Sequence, residues 1–448
     1  MPGQTQAATE DAIPKSIRRV VAAGLFGTVV EYYEFTIYGL LALLIAPNFF
    51  PNQNGTASLL AALLTFGTSY VVRPVGALIF GWFGDRFGRR STLVVCVTMM
   101  GVASTLIGFL PNHAQIGVWA PVLLVLLRLV QGVSAGGELI GAVTYVMESV
   151  PRRRRGFLVA MNPFGSSMGA ALGSVVVGTV ALLASSGQMA SWGWRIPFLV
   201  CLPLTLICLA LRLRVEDSPE FQKTVARSKV ARVPVATVFT KYPKQVLQAI
   251  GFGIALNGVV YVGLVYMPAY LIRTRGFQQS SIFWLSAACL VVQALAIPLL
   301  GALGDRFGRK PVLLAGTLGH LVLAFPILLL MGKSASIVAV GLGLLMFMLL
   351  SGVQATGLVV FSELFPARVR FTGGAVSYNI SAVLVGGFSP WVATKLVAAT
   401  GNPLSPAWWI VGVSAVGIVA LLSLKETAGR RLEQRDLTSR VVAPAPAE

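Results

Sequence analysis

Long apolar stretches separated by short polar turns set the pattern of this chain. Most are close to the ~20 residues that an α-helix needs to cross ~30 Å of hydrocarbon. They predict twelve spans, near residues 17–45, 57–83, 91–110, 118–147, 156–184, 192–214, 245–272, 280–304, 311–331, 335–362, 371–398 and 403–424. Only the connection at 215–244 is both long and hydrophilic, and it splits the spans into six and six. The expected architecture is all-α and membrane-integral. A tail (1–16) precedes a six-helix half (17–214), a linker (215–244), a second six-helix half (245–424) and a second tail (425–448).

The two halves carry the same signals in the same order. Residues 81–90 read Gly-Trp-Phe-Gly-Asp-Arg-Phe-Gly-Arg-Arg, and residues 301–310 read Gly-Ala-Leu-Gly-Asp-Arg-Phe-Gly-Arg-Lys. Glu148 and Pro151, followed by Arg153 and Arg155, are echoed by Glu363 and Pro366, followed by Arg368 and Arg370. Two ordered motifs in two copies indicate an internal duplication. Because six is even, both halves share one orientation, so a pseudo-twofold axis along the membrane normal is expected, as in transporters built from parallel repeats.

Composition sharpens this picture. Hydrophobic residues make up 56% of the chain and charged residues 11%, against about 25% charged in soluble domains. In a soluble chain the net charge of +19 would suggest nucleic acid. Here 28 of the 35 Lys and Arg fall in the tails, the linker and the turns on one side of the predicted bundle. That side is expected to be cytoplasmic and to hold both termini, and no nucleic-acid partner is expected. Lys15, Arg18 and Arg19 precede the first apolar run as in a signal peptide. The run is too long, holds two glutamates and lacks a small-residue cleavage site, so it reads as a retained helix. Cys96, Cys201, Cys208 and Cys289 lie inside spans without ligand spacing. No phosphate-binding glycine loop occurs. Neither an enzyme, a metal site nor a nucleotide-driven pump is expected.

The turn between spans two and three resembles the signature of the major facilitator superfamily. A narrower set comprises Glu31-Tyr-Tyr-Glu34-Phe-Thr-Ile-Tyr38-Gly39, Arg73-Pro74-Val75-Gly76 and Arg128-Leu-Val-Gln131-Gly132 running on to Gly136-Gly137-Glu138. It continues with Trp192-Gly-Trp194-Arg195-Ile-Pro197-Phe198, Glu216-Asp-Ser-Pro219-Glu-Phe221 and Glu363-Leu-Phe-Pro366. This set is similar to that of the metabolite–proton symporters, whose members carry α-ketoglutarate, citrate, shikimate and proline/betaine. The resemblance covers the whole chain. It implies a central cavity flanked by spans one and four, a bacterial plasma membrane, a functional monomer, no cofactor, and protons as the coupling ion. Glu34 stands where the family often has Asp, and Tyr32 where it often has Trp. The long coiled-coil tail of the osmosensing proline/betaine members is missing, which argues against that role. Span five lacks the glycine–proline signature of drug–proton antiporters, which favours uptake over export.

Each charge inside a bilayer costs roughly 2.5–3.5 kcal/mol on the insertion scale and so calls for a role. Glu31 and Glu34 share one face of span one and are the expected proton-coupling residues. Arg128 lies at similar depth in span four. With Arg73, Gln131, Asn257, Tyr261, Gln293 and Asn379, it is an expected substrate contact. Burial favours the protonated carboxyl and a neighbouring guanidinium the ionised one. A substrate that occupies the arginine would therefore promote proton uptake on the glutamate; a permanent structural ion pair is the alternative. Interior arginines point to a mono-, di- or tricarboxylate cargo. If the glutamates neutralise them, a zwitterion such as proline or betaine becomes the alternative, and a proton-driven exporter is the other. Finally, Asp85, Arg86, Arg89, Glu148, Arg153, Asp305, Arg306, Arg309, Glu363 and Arg368 are expected to form a cytoplasmic latch that closes that side when the opposite side is open.

Overall fold

The computed structural model describes residues 15–87, 89–136, 143, 146–147, 154–213, 235–366 and 369–429, with side chains from residue 24 on apart from 81–82, 84–90 and 235. Among the described residues, ten helices are long and apolar enough to cross a membrane singly. They are α2 (Gly55–Phe80), α3 (Ser91–Phe109), α5 (Arg155–Leu183), α6 (Gly193–Leu213), α7 (Pro243–Arg273), α8 (Gln279–Phe307), α9 (Arg309–Lys333), α10 (Ile337–Glu363), α11 (Arg370–Thr400) and α12 (Pro406–Ser423). The first predicted span, α1, consists of Gly24–Leu40 and Ala42–Phe49, bent by 62° at the junction. Gly39 and Pro47 flank the bend, and Pro47 has no N–H to give the preceding turn. The fourth, α4, is described over Trp119–Ala135, and most of its expected continuation to 147 lies outside the described residues. Within the expected linker, Val235–Lys241 is helical and buries Val238.

Backbone contact sets the helix spacing inside the first half. A Cβ on Gly132 would lie 2.0 Å from the Ser69 carbonyl oxygen, and one on Gly76 1.9 Å from that of Val133. Glycine there lets α2 and α4 touch main chain to main chain, the small-residue mode of membrane helix packing. The stripe Gly165, Gly169 and Gly173 on α5 does the same against α1, and a Cβ on Gly169 would meet the Val29 carbonyl oxygen at 2.2 Å. Gly132→Ala is therefore expected to cost ~1–3 kcal/mol as an overpacked site. Gly412→Ala, which meets nothing within 4 Å, should be neutral or slightly stabilising. Thermal unfolding of the two variants in detergent checks this contrast.

The halves face each other mainly through α5 against α8 and α2 against α11. At the first interface a Cβ on Gly301 would be 2.7 Å from the Gly156 carbonyl oxygen. At the second, one on Gly387 would be 2.8 Å from Gly67 Cα. Near the face opposite the basic one, Arg273 Nη2 donates to Thr56 Oγ1 at 3.1 Å. The halves thus touch on both sides of the space between them.

Candidate functional site

That space is a cavity lined from α1, α5, α7, α8, α10 and α11, with Tyr32, Ser167, Asn257, Tyr261, Gln293 and Tyr378 in its wall. π-Helical turns at Val262–Tyr266 and Ala382–Gly386 interrupt α7 and α11 beside it, where such turns commonly mark functional sites. Among the described residues, no Asp, Glu, Lys, Arg or His is in the wall. Of the expected substrate contacts, Asn257, Tyr261 and Gln293 line it. Asn379 instead bridges the halves, its Nδ2 donating to the Gly136 carbonyl at 3.2 Å. Gln293 also bridges, accepting from Ser167 at 3.3 Å while donating to the Met348 carbonyl at 2.7 Å.

Arg128 lies inside the first half, fully buried and off the cavity wall. Its guanidinium donates to Gln131 Oε1 at 2.8 Å, to Ser69 Oγ at 3.0 Å and to the Phe66 carbonyl at 3.3 Å. It also sits 4.3 Å from the Tyr38 ring centroid, a desolvated cation–π contact. Gln131 passes the connection on, since its Nε2 donates to Ser104 Oγ at 2.6 Å and Ser104 donates to Glu34 Oε2. Arg128 and buried Glu34 are thereby joined through two polar side chains, Gln131 and Ser104.

Arg73 is placed differently. The α2 helix breaks at Val72, just ahead of Pro74, and Arg73 turns inward with 3% exposure. Its guanidinium lies 4.2 Å from the Tyr70 ring and 4.5 Å from the Phe35 ring. Among the described residues it donates no hydrogen bond, and its buried Nε has no acceptor. It lies within electrostatic reach of Glu31 and of the Tyr70, Tyr261 and Tyr378 hydroxyls. Arg73 therefore stands against Tyr70, whose ring packs 5.3 Å from that of Tyr261 in the cavity wall.

At the basic face, Asp305 joins the halves. Its Oδ1 and Oδ2 accept the Gly156 and Phe157 amides, both at 2.9 Å. These are unsatisfied N–H groups of the first turn of α5, where a carboxylate also meets the positive end of the helix dipole. Oδ1 further accepts Arg309 Nη2 at 2.7 Å, and Arg309 Nε lies 3.8 Å from Glu363 Oε2. Arg306 is exposed and stacks near Phe307, outside this cluster. The Asp85, Arg86, Arg89, Glu148, Arg153 and Arg368 side chains, and Glu138, lie outside the described residues.

A further anchor was not expected from the sequence. Glu426, just past α12, accepts the Arg309 and Lys310 amides at 2.8 and 3.0 Å, capping α9 beside the latch. Lys310 Nζ answers by donating to the Leu422 and Leu424 carbonyls. Burial pushes the Glu426 carboxyl up, but the amides of Ala428, Arg309, Lys310 and Thr427 outweigh it and hold it below its usual range. A lowered folded value means the stabilisation is present above the ordinary carboxyl range and is lost as pH falls through the lowered value. Glu426→Ala should cost ~0.5–2 kcal/mol locally, as other lost helix caps do. The readout is faster amide exchange at Arg309 and Lys310 at neutral pH. After correction for intrinsic rates, wild type should approach the variant only below about pH 4.

The sequence pattern of the family described as "Sugar (and other) transporter" matches residues 20–238 and again 228–437, one match to each half. The chain belongs to this family of the major facilitator superfamily. It is a multi-pass membrane transporter. It is 35% identical over 430 residues to the proline/betaine transporter of Escherichia coli (strain K12), covering 93% of this chain and 85% of that protein. It is 37% identical over 434 residues to the ectoine/proline transporter of Corynebacterium glutamicum, covering 94% and 86%. The glycine betaine/proline/ectoine/pipecolic acid transporter of Dickeya dadantii is 35% identical, with 93% and 85% covered. Among solved structures, a D-xylose-proton symporter superposes with a TM-score of 0.74 at 20% identity, covering 93% of this chain and all of the other. At that identity the likeness shows the fold.

Proposed function

We propose that the chain is a proton-coupled importer of small zwitterions such as proline, betaine or ectoine, rather than of the carboxylate anions its interior arginines first suggested. The observation that carries this reading is that none of the described residues in the cavity wall is charged. An anion held there would be poorly compensated, because Arg128 is committed to its own half and Arg73 is offset by Glu31. A zwitterion brings its own counter-charge, so its transfer into low dielectric costs less. The relatives' names point the same way.

Glu34 is the proposed proton site, with Ser104 and Gln131 linking it to Arg128, and Glu31 is proposed to tune Arg73. Import proceeds by alternating access, in which the α5–α8 contacts at Asp305 and the contacts around Gly387 and Thr56 break in turn. Charge balance tests the cargo. A zwitterion moving with one proton carries one net positive charge, whereas a monocarboxylate with one proton carries none. A potential of 100 mV, negative inside, should therefore raise the zwitterion's accumulation roughly 50-fold, from ~2.3 kcal/mol per charge, and leave monocarboxylate–proton uptake unchanged. Potential-driven uptake of labelled proline and betaine in proteoliposomes is the measurement; potential-insensitive uptake of carboxylates alone would reject the reading.

A further inference from the structure

Behind the cavity wall, α9 holds an imidazole. His320 is fully buried and is not itself in the wall. It sits in the middle of α9, about 16 Å from Arg309 and 20 Å from Lys333 at ~1.5 Å per residue. Its Nε2 lies 3.3 Å from Ser351 Oγ. Its ring meets that of Phe347 edge-on, with centroids 4.8 Å apart. Phe347 and Ser351 are one turn apart on α10, and both line the cavity. One buried imidazole thus backs two side chains of the wall.

Packing alone does not call for histidine here. A phenylalanine would fill a similar slot without ring nitrogens to desolvate, and a buried polar group is costly unless it is hydrogen-bonded. The ring is not set for an ion pair either. α9 packs on α8, α10 and α12. The charged residues of those helices are Asp305, Arg306 and Glu363, all at cytoplasmic ends, and α12 has none. Cys289 of α8 is also ionisable, but it contacts the Gly341 carbonyl. The side-chain partner of His320 is Ser351. That serine has one proton and two neighbours able to take it, the Phe347 carbonyl at 3.1 Å and the imidazole. When Nε2 donates, the proton goes to the carbonyl; when Nε2 accepts, the hydroxyl turns toward the ring. A neutral imidazole can do either, so a substrate atom that engages Ser351 changes the bond the ring makes.

We propose that His320 is a positioning residue for the substrate, acting from outside the cavity by fixing the Ser351 hydroxyl that the wall presents. The proposal rests on this cavity being the transport site and not on the charge of the cargo. Uptake into proteoliposomes is the first test. The probe is whichever of labelled proline, betaine or α-ketoglutarate the wild type accumulates. Accumulation of α-ketoglutarate alone would end the zwitterion reading and leave this test in place. His320→Phe should raise the half-saturation concentration roughly three- to tenfold, the effect of one lost hydrogen bond, with the maximal rate within about twofold. His320→Gln keeps a side-chain amide for Ser351 and should recover most of the loss. Ser351→Ala should match His320→Phe, and the two together should do no more than either alone, because they remove one interaction. Additive effects, or a fall in maximal rate at unchanged half-saturation, would overturn the assignment in favour of a residue that only supports the fold. The second test needs no change at His320. The chain has two histidines, so His113→Gln leaves His320 alone to be seen by NMR of nitrogen-labelled histidine in lipid. Saturating substrate should move its Nε2 resonance, and Ser351→Ala should abolish the movement. An Nε2 resonance indifferent to bound substrate would sink the proposal, even if His320→Phe failed to fold.

Discussion

Glu34→Gln should abolish concentrative uptake while exchange of internal for external substrate continues. The substitution keeps the shape and an acceptor for Ser104, but it cannot take up a proton. In wild type, one pH unit supplies ~1.4 kcal/mol per proton, enough for about tenfold accumulation at one proton per substrate. In the variant the accumulation ratio should fall to about one at any imposed gradient, with counterflow within a few-fold of wild type. Ser104→Ala and Gln131→Leu cut the connection to Arg128 without removing the carboxyl, so they should shift the pH at which uptake is half-maximal rather than uncouple. Proteoliposome uptake under stepped pH gradients, paired with counterflow at equal pH, reads both quantities. Undiminished gradient-driven accumulation in Glu34→Gln would transfer the role to Glu31.

Much of this was legible in the sequence because burying charge is expensive. A glutamate or arginine in an apolar run announces itself, and Glu31, Glu34, Arg73 and Arg128 all prove to be buried. The duplication was equally plain, because its motifs carry charges at fixed spacing, and Asp305 does pair with Arg309 four residues on. The sequence could not show how each charge is satisfied. Arg128 is held by Ser69, 59 residues away, and Glu34 by Ser104, 70 residues away, and both are ordinary serines in apolar helices. The partners of Asp305 in the other half are backbone amides, which no residue pattern marks. Glu426 lies in a tail with no periodicity, and its role appears only once α9 and α12 are side by side. The two arginines thus looked alike in sequence, yet Arg128 hydrogen-bonds within its own half while Arg73 gives no hydrogen bond to any described residue.

Their difference makes the second large prediction. Arg73→Ala should raise the half-saturation concentration for a zwitterion by roughly 10- to 100-fold, the scale of losing a hydrogen bond or close contact to a charged group. Folding should suffer little, because the Arg73 guanidinium gives no hydrogen bond to any described residue. Arg128→Ala should behave in the opposite way. It strands Gln131 Oε1 in a buried interior, where an unsatisfied polar atom costs ~1–3 kcal/mol, so thermal stability in detergent should drop. Arg73→Lys separates charge from geometry. It keeps the positive charge beside Tyr70 but loses the planar fork, and an intermediate half-saturation is expected. Substrate-induced stabilisation gives a readout free of transport rates. Ligand at 100 times its Kd stabilises a carrier by ~2.7 kcal/mol. At the same concentration Arg73→Ala should lose most of that gain, whereas an Arg128 variant that still folds should keep it. Equal half-saturation and equal ligand stabilisation in wild type and Arg73→Ala would remove Arg73 from recognition.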